Sequence, residues 1–265
     1  MTEDASRFVW YELMTTNTGA ARQFYGTVVG WGTRDASQPE MAYTLFTVGD
    51  VPVAGLMDLP YQARQMGAPP NWIGYIAVAD VDAATAKVAD LGGTVHVQPT
   101  DIPDVGRFSV VSDPQKAAFT LFKPLPMQGV QPEPPAMGTP GYIGWHELYA
   151  DDWEQALAFY GAMFGWQKAD AIDMGEMGTY QLFSAAGGEE PIGGMFNRPA
   201  EVPATFWLYY FNVDDIDTAV ARVEAGGGKV LNGPMEVPGG AWIIQAQDPQ
   251  GAMFALVGPR AQARS

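Results

Sequence analysis

Trp10-Tyr-Glu-Leu13 returns as Trp145-His-Glu-Leu148, and Phe24-Tyr-Gly26 returns as Phe159-Tyr-Gly161. Both recurrences carry one offset of 135 residues (145 − 10 and 159 − 24). The same register pairs Gly30-Trp31 with Gly165-Trp166, and Trp72 and Tyr75 with Trp207 and Tyr210. It also pairs Asp80-Val-Asp82 with Asp215-Ile-Asp217, and Asp113-Pro-Gln115 with Asp248-Pro-Gln250. One register held over so long a stretch means two copies of a single domain. The junction is marked by Pro124, Pro126, Pro132, Pro134, Pro135 and Pro140, in a segment with almost no apolar periodicity. Such a segment is expected to be extended and semi-rigid. The first domain is therefore set at 1–124, the linker at 125–140 and the second domain at 141–265.

Within each copy the pattern reads strand, helix, strands, run twice. Phe8–Met14 is β-rich, and Thr18–Val29 puts Ala21, Phe24, Tyr25 and Val28 on one helical face, with Asn17 or Thr18 as its cap. Tyr43–Val48 and Val51–Met57 suit a hairpin, and Trp72–Val78 opens the second unit. Asp80 or Asp82 caps a helix carrying Val81, Ala84, Val88 and Leu91, which Gly92-Gly93 stops. Thr94–Val97, Phe108–Val111 and Ala118–Phe122 complete it. The fold class is α+β, with four βαβββ units in the chain.

The 265 residues are 47% hydrophobic, 12% aromatic and 17% charged, enough to bury a core and too apolar for a disordered chain. Thirty acidic residues against 14 Lys and Arg leave a net charge of −16. That surface repels phosphate backbones and anionic headgroups, so neither nucleic acid nor membrane is expected as a partner. There are no cysteines, which excludes disulfides, thiolate nucleophiles and Cys-ligated metals. The N-terminal residues show no basic segment followed by an apolar one, and no apolar run nears the roughly 20 residues that span a bilayer. The expected location is cytoplasmic, as monomer or homodimer.

Paired βαβββ units, a first helix ending in Phe-Tyr and followed by Gly-Trp, and a closing hairpin reading Asp-Pro-Gln resemble the vicinal oxygen chelate superfamily. That family takes in glyoxalase I, bleomycin-resistance proteins and extradiol dioxygenases, and the likeness is to its tandem, glyoxalase-like branch. The resemblance implies two glyoxalase/bleomycin-resistance/dioxygenase-like domains, each curling its sheet into a cup for ligand or metal. It also implies metal ligands on the opening strand of each βαβββ unit and on the closing strand. Those positions fall here on Trp10, Ile73 and Thr120, and on Trp145, Leu208 and Ala255. Indole and alkyl groups do not bind cations of this kind, and a lone Thr hydroxyl is a feeble ligand. No metal and no cofactor are expected, unless this register is wrong.

His96 and His146 are the only histidines. His146 is one residue out of register with the ligand position, so its side chain turns to the opposite face of the strand. It is read as a packed or capping histidine, and His96 as an ordinary strand residue. Strand alternation places Trp10 with Glu12, and Trp145 with Glu147, on the cup face. Tyr75, Thr120 and Tyr210 share that side, and Tyr43 and Tyr180 sit in equivalent strands. The set suits a small organic ligand, aromatic or carbonyl-containing; filling the cup as core is the other reading. Glu12 and Glu147 carry two readings. A carboxylate among rings is desolvated, which raises its pKa and suits a general base next to a carbonyl. A structural glutamate bonded to backbone or to a tyrosine hydroxyl is the other. Arg107, whose counterpart is Trp242, is expected to neutralise Glu12 or grip an anionic ligand, making the first cup the better anion or carbonyl binder and the second more apolar. Three functions follow: metal-independent binding with at most modest catalysis, a metal-dependent lyase, isomerase or dioxygenase, or drug sequestration.

Gly226-Gly-Gly-Lys229 resembles a phosphate loop but lacks the spacing and ends a helix, so it reads as a C-cap. Asp151-Asp152 and Asp214-Asp215 read as helix caps, not as a calcium loop. Met41, Met57 and Met66 read as core filler.

Overall fold

Among the described residues four of the five α-helices begin with a side chain that takes up a free backbone N–H. Asn17 accepts from Ala20, Asp80 from Ala83, Asp152 from Gln155 and Asp215 from Thr218. Each cap contributes about 1 kcal/mol and sets where the helix starts. The computed structural model describes residues 7–39, 41–65, 67–126 and 135–261. Much of the Pro-rich junction, with Pro132 and Pro134, lies outside the described residues, as does Met66.

In the first repeat β1 (Phe8–Thr15), α1 (Thr18–Val28), β2 (Gly32–Asp35), β3 (Thr44–Val48) and β4 (Val51–Asp58) form one unit. A short α2 (Tyr61–Gln65) leads to β5 (Asn71–Ala77), α3 (Val81–Asp90), β6 (Thr94–Ile102), β7 (Gly106–Ser112) and β8 (Ala118–Pro124). The second repeat runs β9 (Ile143–Ala150), α4 (Trp153–Phe164), β10 (Gln167–Asp173), β11 (Thr179–Ser184) and β12 (Pro191–Asn197). It continues β13 (Phe206–Asn212), α5 (Ile216–Ala225), β14 (Lys229–Glu236), β15 (Trp242–Gln247) and β16 (Met253–Gly258). The ladders give two eight-stranded sheets, ordered β2-β3-β4-β1-β5-β8-β7-β6 and β10-β11-β12-β9-β13-β16-β15-β14. These are two tandem domains of one α+β plan, four βαβββ units in all.

Helix α1 buries the four residues its periodicity marks, Ala21, Phe24, Tyr25 and Val28. Helix α3 differs: it buries Val81, Thr85 and Val88 and leaves Leu91 exposed. Thr85 is admitted because its hydroxyl donates to the Val81 carbonyl at 2.7 Å. Strand β2 is exposed at every residue, so it carries no apolar alternation to reveal it. Gly165 closes α4 in the left-handed conformation, and Gly226 caps α5.

The packed bodies do not follow the repeats. The described residues within 1–10, 73–132 and 146–207 form one compact unit, and those within 11–72, 133–145 and 208–265 form the other. In the first unit α3 packs on α4, and Phe119 meets Tyr160 with ring centroids 5.6 Å apart. Trp207 Nε1 donates to the Tyr160 hydroxyl at 2.9 Å, which donates to Asp113 Oδ2 at 3.1 Å. In the second unit α1 packs on α5, Trp72 donates to Tyr25 at 2.9 Å, and Tyr25 to Asp248 at 3.1 Å. Backbone ladders thus stay within a repeat, while each buried core draws on both. The repeated landmarks Phe-Tyr, Trp and Asp-Pro-Gln are the parts of this duplicated network. Burial raises the carboxyl pKa of Asp113 and Asp248, even though each accepts two backbone N–H bonds as well. The phenol of Tyr25 is likewise pushed well up by burial, with the Asp248 charge second.

Candidate functional site

The ladder of β1 on β4 sets Glu12 opposite Gly55, and that of β9 on β12 sets Glu147 opposite Gly194. Both carboxylates are buried, at 7% and 6% exposure. Across each glycine lies a tyrosine. The Tyr43 hydroxyl donates to Glu12 Oε2 at 2.8 Å, and the Tyr180 hydroxyl to Glu147 Oε2 at 2.8 Å. A Cβ on Gly55 would stand 1.9 Å from Tyr43 Oη, and one on Gly194 would stand 2.2 Å from Tyr180 Cε1. Only glycine leaves room for the phenol to reach the carboxylate. Tyr43 lies 31 residues after Glu12, and Tyr180 lies 33 after Glu147. The two repeats reach one arrangement despite the two-residue difference.

The surroundings differ. Tyr180 lies 5.7 Å from Phe196, and Tyr149 sits 4.6 Å from both Phe196 and Phe206. Glu147 is therefore backed by a row of rings. In the first repeat the matching strand positions hold Met14 and Met57, both half-buried. Trp10 and Trp145 are half-buried as well.

On β5 and β8, Tyr75 stands in register with Thr120, and its ring meets Phe122 edge-on at 5.7 Å. Tyr210 stands in register with Ala255 and accepts a hydrogen bond from Gln245 Nε2 at 3.0 Å. Gln245 is an addition that sequence reading passed over. So are Gly55 and Gly194, although a glycine inside an apolar strand already signals a close approach.

Arg107 is not placed as expected. Its Nε and Nη2 grip Asp82 at 2.7 and 2.9 Å, and its Nη1 meets Asp101 at 2.8 Å. It shares strand parity with Val111, which is wholly buried in the core, and so turns away from the Thr120 face. Those carboxylates push the guanidinium pKa further up. Trp242 shares parity with the buried Ile244 and Ala246, and Arg260 lies over its ring at 4.2 Å. Arg260 also binds Asp217 at 2.8 Å. Asp217 is the counterpart of Asp82, so each repeat ties its second helix down with one arginine, from strand β7 in the first repeat and from just past β16 in the second. The proposed contrast between the copies does not rest on Arg107 and Trp242.

The His146 ring stacks on Phe8 at 4.2 Å, and its Nδ1 donates to the Ile192 carbonyl at 2.6 Å. Burial holds its pKa down at about 4. His96 Nε2 meets Ser112 Oγ at 3.0 Å. Asp152 and Asp215 cap helices, while Asp151 and Asp214 pair with Arg198 and Arg222. Met41 and Met57 are half-buried rather than core. Among the described residues no three His, Cys, Asp or Glu side chains gather to hold a metal. Trp10, Ile73, Thr120 and their counterparts supply no ligand set that fits one. Among the described residues no helix is long and apolar enough to cross a membrane.

The chain belongs to the Glyoxalase/Bleomycin resistance protein/Dioxygenase superfamily, whose model matches residues 7–121 and 142–256. It is 34% identical to "Putative glyoxylase CFP32" of Mycobacterium tuberculosis over 96% of this chain and 95% of that protein. It is 32% identical to the anthracycline biosynthesis protein DauV of a Streptomyces species, over 94% of this chain and 91% of that one. The Mn(II)-bound glyoxalase of Novosphingobium aromaticivorans shares the fold, with a TM-score of 0.61 at 16% identity, covering 97% of this chain and 83% of that one.

Proposed function

We propose that this protein binds a small aromatic or carbonyl-containing molecule through ring faces and hydrogen bonds, without a metal. The observation that carries this reading is the duplicated pair of buried glutamates, each held by a tyrosine across a glycine. A carboxylate fixed in this way is oriented and kept out of bulk water, as a ligand-recognising group needs. The poor fit of the family's ligand positions to any cation supports the metal-free part. A relative named for anthracycline biosynthesis supports carbonyl-bearing polycyclic aromatics as the first compounds to try.

A second reading keeps Glu12 or Glu147 as a modest base. The carboxylate takes a proton from carbon next to the ligand carbonyl, the C–H electron pair forms a C=C bond while the carbonyl π pair moves onto oxygen to give an enolate, and the tyrosine orients the carboxylate. Protein purified in the presence of Zn²⁺, Ni²⁺, Mn²⁺ and Fe²⁺ is expected to contain no stoichiometric metal after dialysis, and to bind planar carbonyl compounds by calorimetry. A retained metal lost in Glu12→Ala or Glu147→Ala would make it a metal-dependent lyase or dioxygenase instead. Deuterium exchange into a bound ketone, lost in Glu12→Gln or Glu147→Gln, would support the base. Binding without exchange leaves sequestration as the function.

A further inference from the structure

Strand β8 sends Phe119 and Leu121 into the aromatic core, where both are wholly buried. Thr120 and Phe122 therefore turn to the other face, beside Tyr75. Thr120 is wholly buried too, yet its hydroxyl has no hydrogen-bond partner among the described residues. A buried hydroxyl left in that state costs free energy that valine, of the same shape, would avoid. The second repeat shows the contrast. Ala255 replaces Thr120, and the Gln245 amide closes onto the Tyr210 hydroxyl. Val110 holds the position of Gln245 in the first repeat, in register with Thr120. Val110, Phe108 and Phe122 are only half-buried, so this face is approachable beside the orphaned hydroxyl.

We propose that the first repeat binds one flat aromatic molecule carrying a phenol or carbonyl oxygen. Its ring lies against Tyr75 and Phe122, and its oxygen bonds to the Thr120 hydroxyl. The second repeat, whose polar groups on this face satisfy one another, takes no equivalent ligand. This rests on the small-molecule reading above and adds the ligand class and a stoichiometry of one per chain. Threonine both donates and accepts, so it serves a phenol and a quinone alike.

The test is calorimetric titration of the full chain with 1-naphthol, 1,4-naphthoquinone and naphthalene. Wild type is expected to bind one equivalent of each oxygenated probe at least tenfold more tightly than naphthalene. Thr120→Val should bring the oxygenated probes down to the naphthalene level, Thr120→Ser should keep the preference, and the melting temperature of Thr120→Val should not fall. Unchanged discrimination in Thr120→Val, or two equivalents bound, overturns this assignment while leaving the broader reading intact. A Thr120→Val protein that binds normally but melts several degrees lower also overturns it, by showing that the hydroxyl serves the fold. Failure of the wild type to bind any of the three overturns both.

Discussion

Gly55 and Gly194 decide whether the two glutamates keep their tyrosines. Gly55→Ala puts a methyl where Tyr43 Oη now lies, so the phenol must leave Glu12 Oε2. Losing that bond inside the protein should cost about 1–3 kcal/mol, read from denaturant midpoints. In a Tyr43→Ala background the same glycine change should cost far less, because the nearest remaining neighbour, Glu12 Oε2, then lies 3.3 Å from the new methyl. Equal costs in both backgrounds would mean that the glycine is not kept for the tyrosine. The glutamates and tyrosines were legible in sequence because strand alternation and the repeat both point to them. Their pairing was not, since it depends on which strands neighbour one another. Arg107 shows the reverse case: its parity with Val111 places it on the core face, although its charge suits an anion site. Arg107→Ala is accordingly expected to leave ligand affinity unchanged.

At the scale of elements, the Trp–Tyr–Asp chains hold the first helix of each repeat to a strand of its own repeat and to the Asp-Pro turn of the other. Tyr160→Phe strands Trp207 Nε1 and Asp113 Oδ2, and Tyr25→Phe strands Trp72 Nε1 and Asp248 Oδ2. Each should lower stability by about 1–3 kcal/mol without changing the fold. The sequence displayed every member of these chains, but an offset of 135 residues makes Asp113 and Asp248 equivalent on paper. No periodicity tells Tyr25 which of the two to choose; only packing does. His146 gives this layer its pH response. Its folded pKa is about 4 against an ordinary 6.5, so the folded state binds its proton less readily than the unfolded chain does. Its contribution is present above pH 6.5 and is lost as the pH falls towards 4. The raised Asp113 and Asp248 act oppositely, since protonation relieves their burial as the pH falls and their cost grows as it rises. Unfolding measured from pH 7 to pH 4 should show a shallower acid loss in His146→Phe, which keeps a ring against Phe8. An unaltered slope would mean that the histidine is not the titrating group.

For the whole molecule, the mismatch between repeats and packed units makes the junction a poor place to cut. Residues 1–124 alone would keep the ladders of their sheet but lose the partners of their core. Trp31 would lose the Gly141 carbonyl it donates to at 2.7 Å, and Tyr25 would lose Asp248. Phe211, 4.9 Å from Trp72, and Phe254, 5.4 Å from Tyr25, would go as well. The aromatic faces so exposed are large and apolar, which favours association over a soluble monomer. The first repeat carries its own equivalents of the lost groups, Asp113 for Asp248 and Phe119 for Phe254. Two copies of it therefore hold the carboxylate and one of the rings needed to rebuild such a core by symmetric pairing, with Ile76 standing where Phe211 was. Expressed alone, residues 1–124 are expected to sediment as a dimer or to lack a cooperative unfolding transition. Mixed with residues 141–265, they should form a one-to-one complex that melts cooperatively. A monomeric, cooperatively folding first repeat would show that its core is self-sufficient, and the packing shared between the repeats would then be dispensable.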